Sequence, residues 1–427
     1  MAIDELIRTG SKVITGYRAS GKWGTTANKD FIFVFYENSD TDALLCDVIN
    51  KSTGSISTKS IIGYTAYYGL SSFDIESIND EYFVMTLGLN ASGTDHANLY
   101  LLKWSGSSFT MPRTISIDIG TSASFVTSVA ILGKDVDGYD IIGASAYDVE
   151  DEASRVKKYK FKDGDIVSTD ASYYFTNSRG GFYRLSKRDR LKTVFCRYTV
   201  SSRYLYANII DFISDTTLTI GNAIALHQGS QGNVQDVYGI IDCDTNTAIH
   251  IDESDKGAEE LKYAKMSIND TTLGDPSWYT IDISSLTTGA YTATYMRSPI
   301  LVDGYLYDPL LDQVGGKFFL LKVKLSNNAL EAYALIGTAV GDSLDSYYMG
   351  TSFDGTVASV LGEWYDNISG QDKYMFGILE FYTPPNWPVN IDGTWKDSEV
   401  FIKTADGWTS DGLEVKVHDG SGWKETS

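Results

Sequence analysis

The 427-residue chain carries a net charge of −21, from 35 Lys and Arg against 56 Asp and Glu, and this acidic balance disfavours nucleic acid as a partner. Its composition, 43% apolar and 13% aromatic with 29 Tyr, is that of a folded protein and favours half-buried β-strands. No stretch of 18 apolar residues predicts a membrane span, and no apolar run after Met1 predicts a secretory signal.

The cysteines indicate neither a disulfide framework nor a zinc site. Cys46, Cys196 and Cys243 are odd in number, and no two of them form a Cys-x-x-Cys pair. We therefore expect a protein that folds in a reducing cytosol without a cofactor or a metal.

A short apolar and aromatic run recurs along the chain. Asn98–Trp104 is a clear copy, followed by the turn Ser105–Ser108. The first apolar residues of the seven copies are Leu44, Leu99, Val156, Tyr204, Leu261, Phe318 and Tyr374. Their spacing of 48 to 57 residues is typical of a repeat architecture.

Each interval has room for four strands. The runs that precede the seven anchors are Phe31–Tyr36, Tyr82–Leu87, Asp140–Ala146, Leu191–Arg197, Thr247–Ile251, Tyr305–Leu311 and Thr356–Leu361. First strands are visible at Phe125–Leu132 and Asp236–Ile241, and fourth strands at Thr114–Ile119, Thr280–Ile283 and Ala332–Ile336. Four short strands per unit predict an all-β fold, a seven-bladed β-propeller over residues 1–383.

The two ends of the array predict how the ring closes. Lys12–Ala19 lies where the first strand of unit one belongs, whereas the seventh unit stops at Pro384-Pro385 without a fourth strand. We expect Ile3–Arg8 to pair with Lys373–Phe381 and complete the last blade, because two sheet edges would otherwise stay open.

The composition changes near the C-terminus. Residues 384–388 hold three of the seven prolines and predict a linker. Residues 389–427 predict a small β-hairpin docking segment, because strand-like alternation at Ser398–Lys403 and Gly412–Val417 is separated by Asp-Gly turns. The tryptophans that follow these turns, Trp395, Trp408 and Trp423, are the candidate partner-binding residues.

The tandem Gly-x-Trp-Lys pattern within Asp392–Glu425 resembles the repeats at the ends of many bacteriophage tail and other virion proteins. The resemblance implies a non-enzymatic structural or attachment component of a phage particle. Its expected partners are other virion proteins and a host surface glycan or protein. The alternative is a carbohydrate-active propeller, a lectin or glycosidase, in which the C-terminal segment is an accessory binding module.

Some propellers hydrolyse glycosides with paired acids, so the acids of this chain are candidate catalytic residues. The candidate acids are Asp252, Glu253, Asp308 and Glu363, and their spacing does not distinguish them from the other acids of the chain. The histidines, His96, His227, His250 and His418, fall in different repeats without a metal-binding spacing. We therefore predict no catalytic residue.

Two kinds of charged segment remain. The acidic segments Asp148–Glu152, Asp242–Thr245 and Asp252–Glu260 offer oxygen ligands for calcium but lack the spaced loop of a calcium site. The basic stretch Arg179–Arg190 predicts either a salt-bridged blade edge or a contact for an acidic neighbour.

Overall fold

The chain divides into two compact units, unit 1 (Met1–Glu380) and unit 2 (Phe381–Ser427). The computed structural model describes residues 6–14, 23–38, 43–63, 69–90, 96–117, 127–148, 152–179, 191–199, 204–228, 241–243, 247–252, 260–286, 299–312, 316–338, 344–353, 357–366, 371–380, 386–391, 394–399, 416–418 and 423–425. Every regular element in these ranges is a β-strand.

The strands of unit 1 follow one another through short turns. Their bounds are β1 (Leu6–Ile14), β2 (Trp23–Ala27), β3 (Phe31–Asn38), β4 (Ala43–Asn50), β5 (Ile56–Gly63), β6 (Gly69–Ser77), β7 (Tyr82–Asn90), β8 (His96–Trp104), β9 (Phe109–Ser116), β10 (Thr127–Lys134), β11 (Asp140–Asp148), β12 (Ala153–Lys162), β13 (Asp165–Phe175), β14 (Ser178–Arg179), β15 (Lys192–Thr199), β16 (Tyr204–Asp211), β17 (Thr219–Gln228), β18 (Ile241–Cys243), β19 (Thr247–Asp252), β20 (Glu260–Asn269), β21 (Thr272–Leu273), β22 (Ser277–Asp282), β23 (Ile300–Val302), β24 (Tyr305–Asp312), β25 (Lys317–Lys324), β26 (Ala329–Thr338), β27 (Leu344–Phe353), β28 (Val357–Asp366) and β29 (Gln371–Glu380).

Antiparallel sheets of consecutive strands make up the described part of unit 1. Sheet 1 contains β2–β5, sheet 2 β6–β9, sheet 3 β10–β13, sheet 4 β14–β17, sheet 5 β18–β22, sheet 6 β23–β26, and sheet 7 has the order β1-β29-β28-β27. Sheet 5 has an extra strand because β21 and β22 both pair with β20. A succession of such four-stranded sheets is a β-propeller, so the predicted all-β class and propeller fold are confirmed.

The hydrophobic core of unit 1 lies in layers between successive sheets. Phe33 of sheet 1 meets Phe83 of sheet 2 edge to face, with ring centroids 4.9 Å apart. Similar layers join sheets 2 and 3, 3 and 4, 4 and 5, and 5 and 6. Tyr374 and Phe376 of sheet 7 pack against Ile32 of sheet 1. This last layer brings the end of the array back to its beginning.

Position within a sheet explains the composition of each strand. β3, with the sequence Phe-Ile-Phe-Val-Phe-Tyr, is buried along nearly its whole length because sheets cover both of its faces. β9, the outermost strand of sheet 2, is exposed at most positions. Inner strands therefore read as continuous apolar runs, and outer strands read as polar or alternating ones.

The N-terminal strand closes sheet 7. β1 pairs with β29 from Leu6 opposite Leu379 to Ile14 opposite Asp372. Gly10 lies opposite Phe376, and an added Cβ at Gly10 would come within 2.5 Å of the Phe376 ring. A larger residue at this position would therefore displace the Phe376 side chain.

The closing strand extends further along the chain than the sequence predicts. The predicted strand Ile3–Arg8 overlaps β1 only in part, and residues 1–5 lie outside the described residues. The assignment of Lys12–Ala19 to the first strand of unit one is wrong, because Lys12–Ile14 belong to β1 and sheet 1 begins with β2. The polar Thr9-Gly10-Ser11-Lys12 segment lacks the apolar alternation that predicts a strand, yet an outermost strand tolerates it.

Unit 2 contains two hairpins in its described part. β30 (Asn386–Ile391) pairs with β31 (Thr394–Glu399), and β32 (Lys416–His418) pairs with β33 (Trp423–Glu425). Of the predicted linker at 384–388, Asn386–Pro388 lie in β30, and residues 384–385 lie outside the described residues. Proline is tolerated there because β30 pairs with β31 alone among the described strands, and a strand paired on one side has backbone groups outside the ladder.

Removal of residues 1–14 should destabilise unit 1 far more than trimming a terminus usually does. The deletion exposes the β29 edge and removes the partner of Asp47 described below, so we expect the melting temperature to fall by roughly 10 °C or more. Thermal unfolding followed by circular dichroism measures the change.

A synthetic peptide with the sequence of residues 1–16 should restore part of the lost stability, whereas a scrambled peptide should not. An unchanged melting temperature after the deletion would show that the ring does not need this strand.

Candidate functional site

A buried polar cluster lies where sheet 7 meets sheet 1. The fully buried Asp47 on β4 accepts hydrogen bonds from Lys12 Nζ at 2.6 Å to each carboxylate oxygen. Tyr374 Oη donates to Asp47 Oδ2 at 2.9 Å, and Thr58 Oγ1 donates to Oδ1 at 2.6 Å. Tyr36 Oη lies 3.3 Å from Oδ1. Lys12 and Tyr374 come from sheet 7 and the other residues from sheet 1. The Asp47 carboxylate therefore joins the first and last sheets of unit 1.

The chemistry of this cluster is that of a structural tie. Burial, and then the Asp47 charge, raise the pKa of the Tyr374 and Tyr36 phenols, so both stay protonated and act as donors at neutral pH. Burial also raises the pKa of the neighbouring Cys46 thiol, which keeps it from acting as a nucleophile. Lys12, Thr58 and Tyr374 all donate hydrogen bonds to the buried Asp47 carboxylate. The carboxylate is therefore occupied by these bonds and does not present a reactive group to a ligand.

Charged ties of the same kind link sheets 3 and 4. Lys158 Nζ, almost fully buried, lies 2.7 Å from Asp215 Oδ1 and donates to the carbonyl oxygen of Ile213 at 3.1 Å. Lys160 Nζ lies 3.0 Å from Asp215 and 2.8 Å from Asp135. The hydrogen bond from Lys158, with that from Lys160, lowers the pKa of Asp215.

Sheets 4 and 5, and sheets 5 and 6, also meet at a turn between strands of the following sheet. Lys192 of sheet 4 pairs with Asp270 of sheet 5, and Lys265 of sheet 5 bonds Asn328 of sheet 6. Gly221 of sheet 4 lies so close to sheet 5 that an added Cβ would come within 1.8 Å of a backbone oxygen. The turn between the last strands of one sheet thus contacts the preceding sheet.

A lysine also recurs four residues after the repeat anchor in four sheets. Each Nζ lies near the centroid of a tyrosine ring: Lys103 over Tyr82 at 5.1 Å, Lys160 over Tyr139 at 4.6 Å, Lys265 over Tyr279 at 4.8 Å and Lys322 over Tyr305 at 4.6 Å. Such cation–π contacts stabilise each sheet internally. The sequence analysis missed them, although the lysine period is visible in the repeat.

The outer strands carry exposed aromatic rings that unit 1 can offer to a ligand. Tyr173 and Tyr174 on β13 are 41% and 49% exposed, Trp278 on β22 is 42% exposed, and Tyr333 on β26 is 38% exposed. Large half-exposed rings of this kind are common at binding surfaces because they bury much area at little cost in side-chain entropy.

The predicted partner-binding tryptophans lie in unit 2. Trp395 is in β31, opposite Asn390, and Trp423 begins β33, opposite His418. Trp408 lies outside the described residues. The role of all three stays a prediction.

The described candidate acids lie on different sheets. Asp252 ends β19 of sheet 5, Asp308 is buried in β24 of sheet 6, and Glu363 is in β28 of sheet 7, whereas Glu253 lies outside the described residues. The histidines His96, His227, His250 and His418 lie on four different sheets.

The described residues lack two further kinds of feature. No group of three His, Cys, Asp or Glu side chains there could hold a metal ion. The same residues include no helix with the length and apolarity of a membrane span.

No protein-family profile and no curated protein sequence matches the chain. Several solved structures are similar in fold. The Aleuria aurantia lectin in complex with Fucα1-6GlcNAc aligns with a TM-score of 0.47 and 10% identity, over 78% of this chain and 99% of the lectin. The polysaccharide lyase Uly1 has a TM-score of 0.45 and 10% identity, over 85% of this chain and 91% of the lyase. The Trypanosoma rangeli sialidase has a TM-score of 0.44 and 10% identity, over 86% of this chain and 59% of the sialidase. None of these similarities assigns a ligand or a reaction to this chain.

Substitution of Asp47 tests the seam cluster. Asp47→Asn leaves the Lys12 ammonium without its counter-charge, and we expect the free energy of unfolding to fall by about 3 kcal/mol. The double variant Lys12→Met, Asp47→Asn should recover part of this loss because it leaves no uncompensated charge. Denaturant unfolding measures both effects.

The matched control is Asp165→Asn, since Asp165 is exposed and lies 4.0 Å from Arg113 at the surface. Its cost should stay below about 1 kcal/mol. Equal costs for Asp47→Asn and Asp165→Asn would rule out a stabilising role for the buried pair.

Proposed function

We propose that this protein is a non-enzymatic structural or attachment component of a bacteriophage particle. Unit 1 would be a seven-bladed propeller, each blade one of its sheets, that serves as a rigid platform for a protein or receptor. Unit 2 would dock the platform onto other virion proteins. The protein would accordingly be found in the assembled virion in several copies.

The observation that carries the proposal is the division into a closed ring and a separate hairpin unit. Ties such as Lys12–Asp47 and Lys158–Asp215 hold neighbouring sheets of unit 1 together, and the β1–β29 pairing closes the series. Loops and outer strands on such a scaffold keep fixed positions, which suits a platform for binding rather than a moving enzyme.

The C-terminal hairpins support the docking role. Unit 2 is compact by its own contacts, and about 45 residues are too few for a large core, so a segment of this size gains stability by packing on a partner. Its turns carry the Gly-x-Trp-Lys pattern that resembles the ends of virion proteins.

Deletion of residues 381–427 tests the two-part assignment. Unit 1 should remain folded with a nearly unchanged melting temperature, because its core layers come from sheets 1–7. Incorporation into particles, measured by mass spectrometry of purified virions, should be lost. The triple variant Trp395→Ala, Trp408→Ala, Trp423→Ala should reduce incorporation in the same way.

Two outcomes would contradict the proposal. Failure of the truncated chain to fold would make unit 2 part of the core, and unchanged incorporation would remove its docking role. The reading frames beside the gene give an independent test, since portal, capsid or tail genes support a virion protein and sugar-uptake genes oppose it.

A carbohydrate-binding propeller is the second candidate, favoured by the exposed rings of Tyr173, Tyr174, Trp278 and Tyr333. Aromatic rings of this exposure can stack on the apolar faces of sugars. A glycan array probed with unit 1 separates the candidates: selective binding that is lost in Trp278→Ala or Tyr333→Ala favours a glycan ligand. Release of sugar from a bound glycan would point to a glycosidase.

A further inference from the structure

The amine of Lys265 in sheet 5 lies against the side-chain amide of Asn328 in sheet 6. Lys265 is in β20, and Asn328 is in the turn between β25 and β26. The Lys265 Nζ donates to Asn328 Oδ1 and to the carbonyl oxygen of Leu325 in the same turn. Tyr263 Oη donates to the same Asn328 Oδ1 at 3.0 Å. An amine and a phenol therefore converge on one amide carbonyl group.

The corresponding place between sheets 3 and 4 holds an ion pair. Lys160, like Lys265, is the fourth residue after its repeat anchor, and its Nζ lies 3.0 Å from Asp215 in the turn between the last two strands of sheet 4. A carboxylate resists attack by an amine because it is negatively charged. A primary amide such as that of Asn328 has an electrophilic carbon and can release ammonia. Asparagine in this turn therefore permits a reaction that aspartate does not.

The surroundings of Lys265 favour the neutral, nucleophilic form of its amine. The Lys265 Nζ lies 4.8 Å from the centroid of the Tyr279 ring, and Tyr263 is fully buried in the core layer between sheets 5 and 6. Burial lowers the pKa of Lys265, so its neutral fraction exceeds that of a solvated lysine, although the ammonium form still predominates at neutral pH.

Tyr263 supplies a donor that keeps its proton. Burial, and then the neighbouring Tyr279, raise the pKa of Tyr263 to about 12, so the phenol remains protonated at neutral pH. Its hydrogen bond ends on the oxygen that would become negative if the Asn328 carbonyl were attacked. A donor already placed at such an oxygen stabilises the charge that develops there.

We propose that Lys265 and Asn328 condense to form an intramolecular isopeptide bond that joins sheet 5 to sheet 6. Rotation about the Asn328 Cβ–Cγ bond turns the face of the amide toward the amine. The neutral Nζ attacks Cγ, and the electron pair of the carbonyl bond moves onto Oδ1, where Tyr263 donates. The Cγ–Nδ2 bond then breaks, one proton passes from Nζ to the leaving nitrogen, and ammonia departs. The two side chains supply every atom of the new bond and of the ammonia, so the reaction consumes no co-reactant.

The bond would fix the contact between two sheets covalently. It would join residues 63 positions apart in the chain, and a cross-link that closes a long loop restricts the unfolded chain as a disulfide does. The inference goes beyond the proposed function, because it depends on unit 1 alone and stands whether or not the protein belongs to a virion.

Mass spectrometry of the unaltered full chain tests the bond. During incubation in mildly alkaline buffer the intact mass should fall by the mass of one ammonia molecule, and the fall should be faster at higher pH because more of Lys265 is then neutral. Trypsin does not cleave after an acylated lysine, so the digest should contain a branched peptide that joins Lys265 to Asn328. An unchanged mass after long incubation would overturn the proposal. Loss of ammonia without the branched peptide would also overturn it, since an asparagine that cyclises on its own backbone loses the same mass.

Three variants assign the roles of the residues. Lys265→Arg and Asn328→Asp should both abolish the branched peptide, and each keeps a hydrogen-bonding partner across the two sheets. Tyr263→Phe should slow formation of the bond roughly tenfold or more, because it removes the donor to the developing negative oxygen. The matched control Lys160→Arg, at the equivalent place in sheet 3, should leave the rate unchanged. A branched peptide at Asn328 in Lys265→Arg, or an unchanged rate in Tyr263→Phe, would contradict the assignment.

Discussion

The pairing of β1 with β29 is the constraint on which the rest of unit 1 depends. The two strands lie at opposite ends of the unit's sequence, so their pairing carries a large loop-closure cost that the rest of the ring must offset. Asp47 couples this closure to the electrostatics of the core. Its buried carboxylate in sheet 1 receives a cation and a phenol from sheet 7, and a buried charge without these partners is strongly unfavourable. The open ring is thereby disfavoured both by free edges and by an uncompensated charge.

Between the other sheets the position of the contact is repeated while its chemistry varies. The turn between the last strands of the following sheet approaches the preceding sheet, and the contact is Lys158 with Asp215 in one place, Lys192 with Asp270 in another and Lys265 with Asn328 in a third. The backbone geometry of a propeller fixes where neighbouring sheets meet, and any polar pair that satisfies both partners can occupy that place. This explains why the sequence repeat is easy to recognise from its apolar anchor residues and hard to recognise from its polar residues.

The sequence predicts the strands well because burial on both faces imposes continuous apolar runs, as in Phe31–Tyr36 and Asn98–Trp104. It predicts the edges poorly. The described closing strand continues to Ile14 instead of ending at Arg8, since an outermost strand such as β1 has little need of apolar alternation. The tie between Lys12 and Asp47 could not be read from the sequence, because it joins residues of different sheets and Lys12 was assigned to the wrong one. The tryptophans of unit 2 remain predictions from their resemblance alone.

The described cations of this acidic chain contribute to the contacts between sheets in more than one way. Lys12, Lys158 and Lys192 each meet a carboxylate of the next sheet, and their charges are used to hold the ring. Arg197 of sheet 4 instead faces the preceding sheet, and its guanidinium lies against Phe175 of sheet 3 and Tyr206 of its own sheet. Rings stabilise a guanidinium while leaving its charge largely uncompensated. Arg197 therefore contributes to the junction of sheets 3 and 4 through packing and cation–π contact, whereas the lysines contribute through charge pairs.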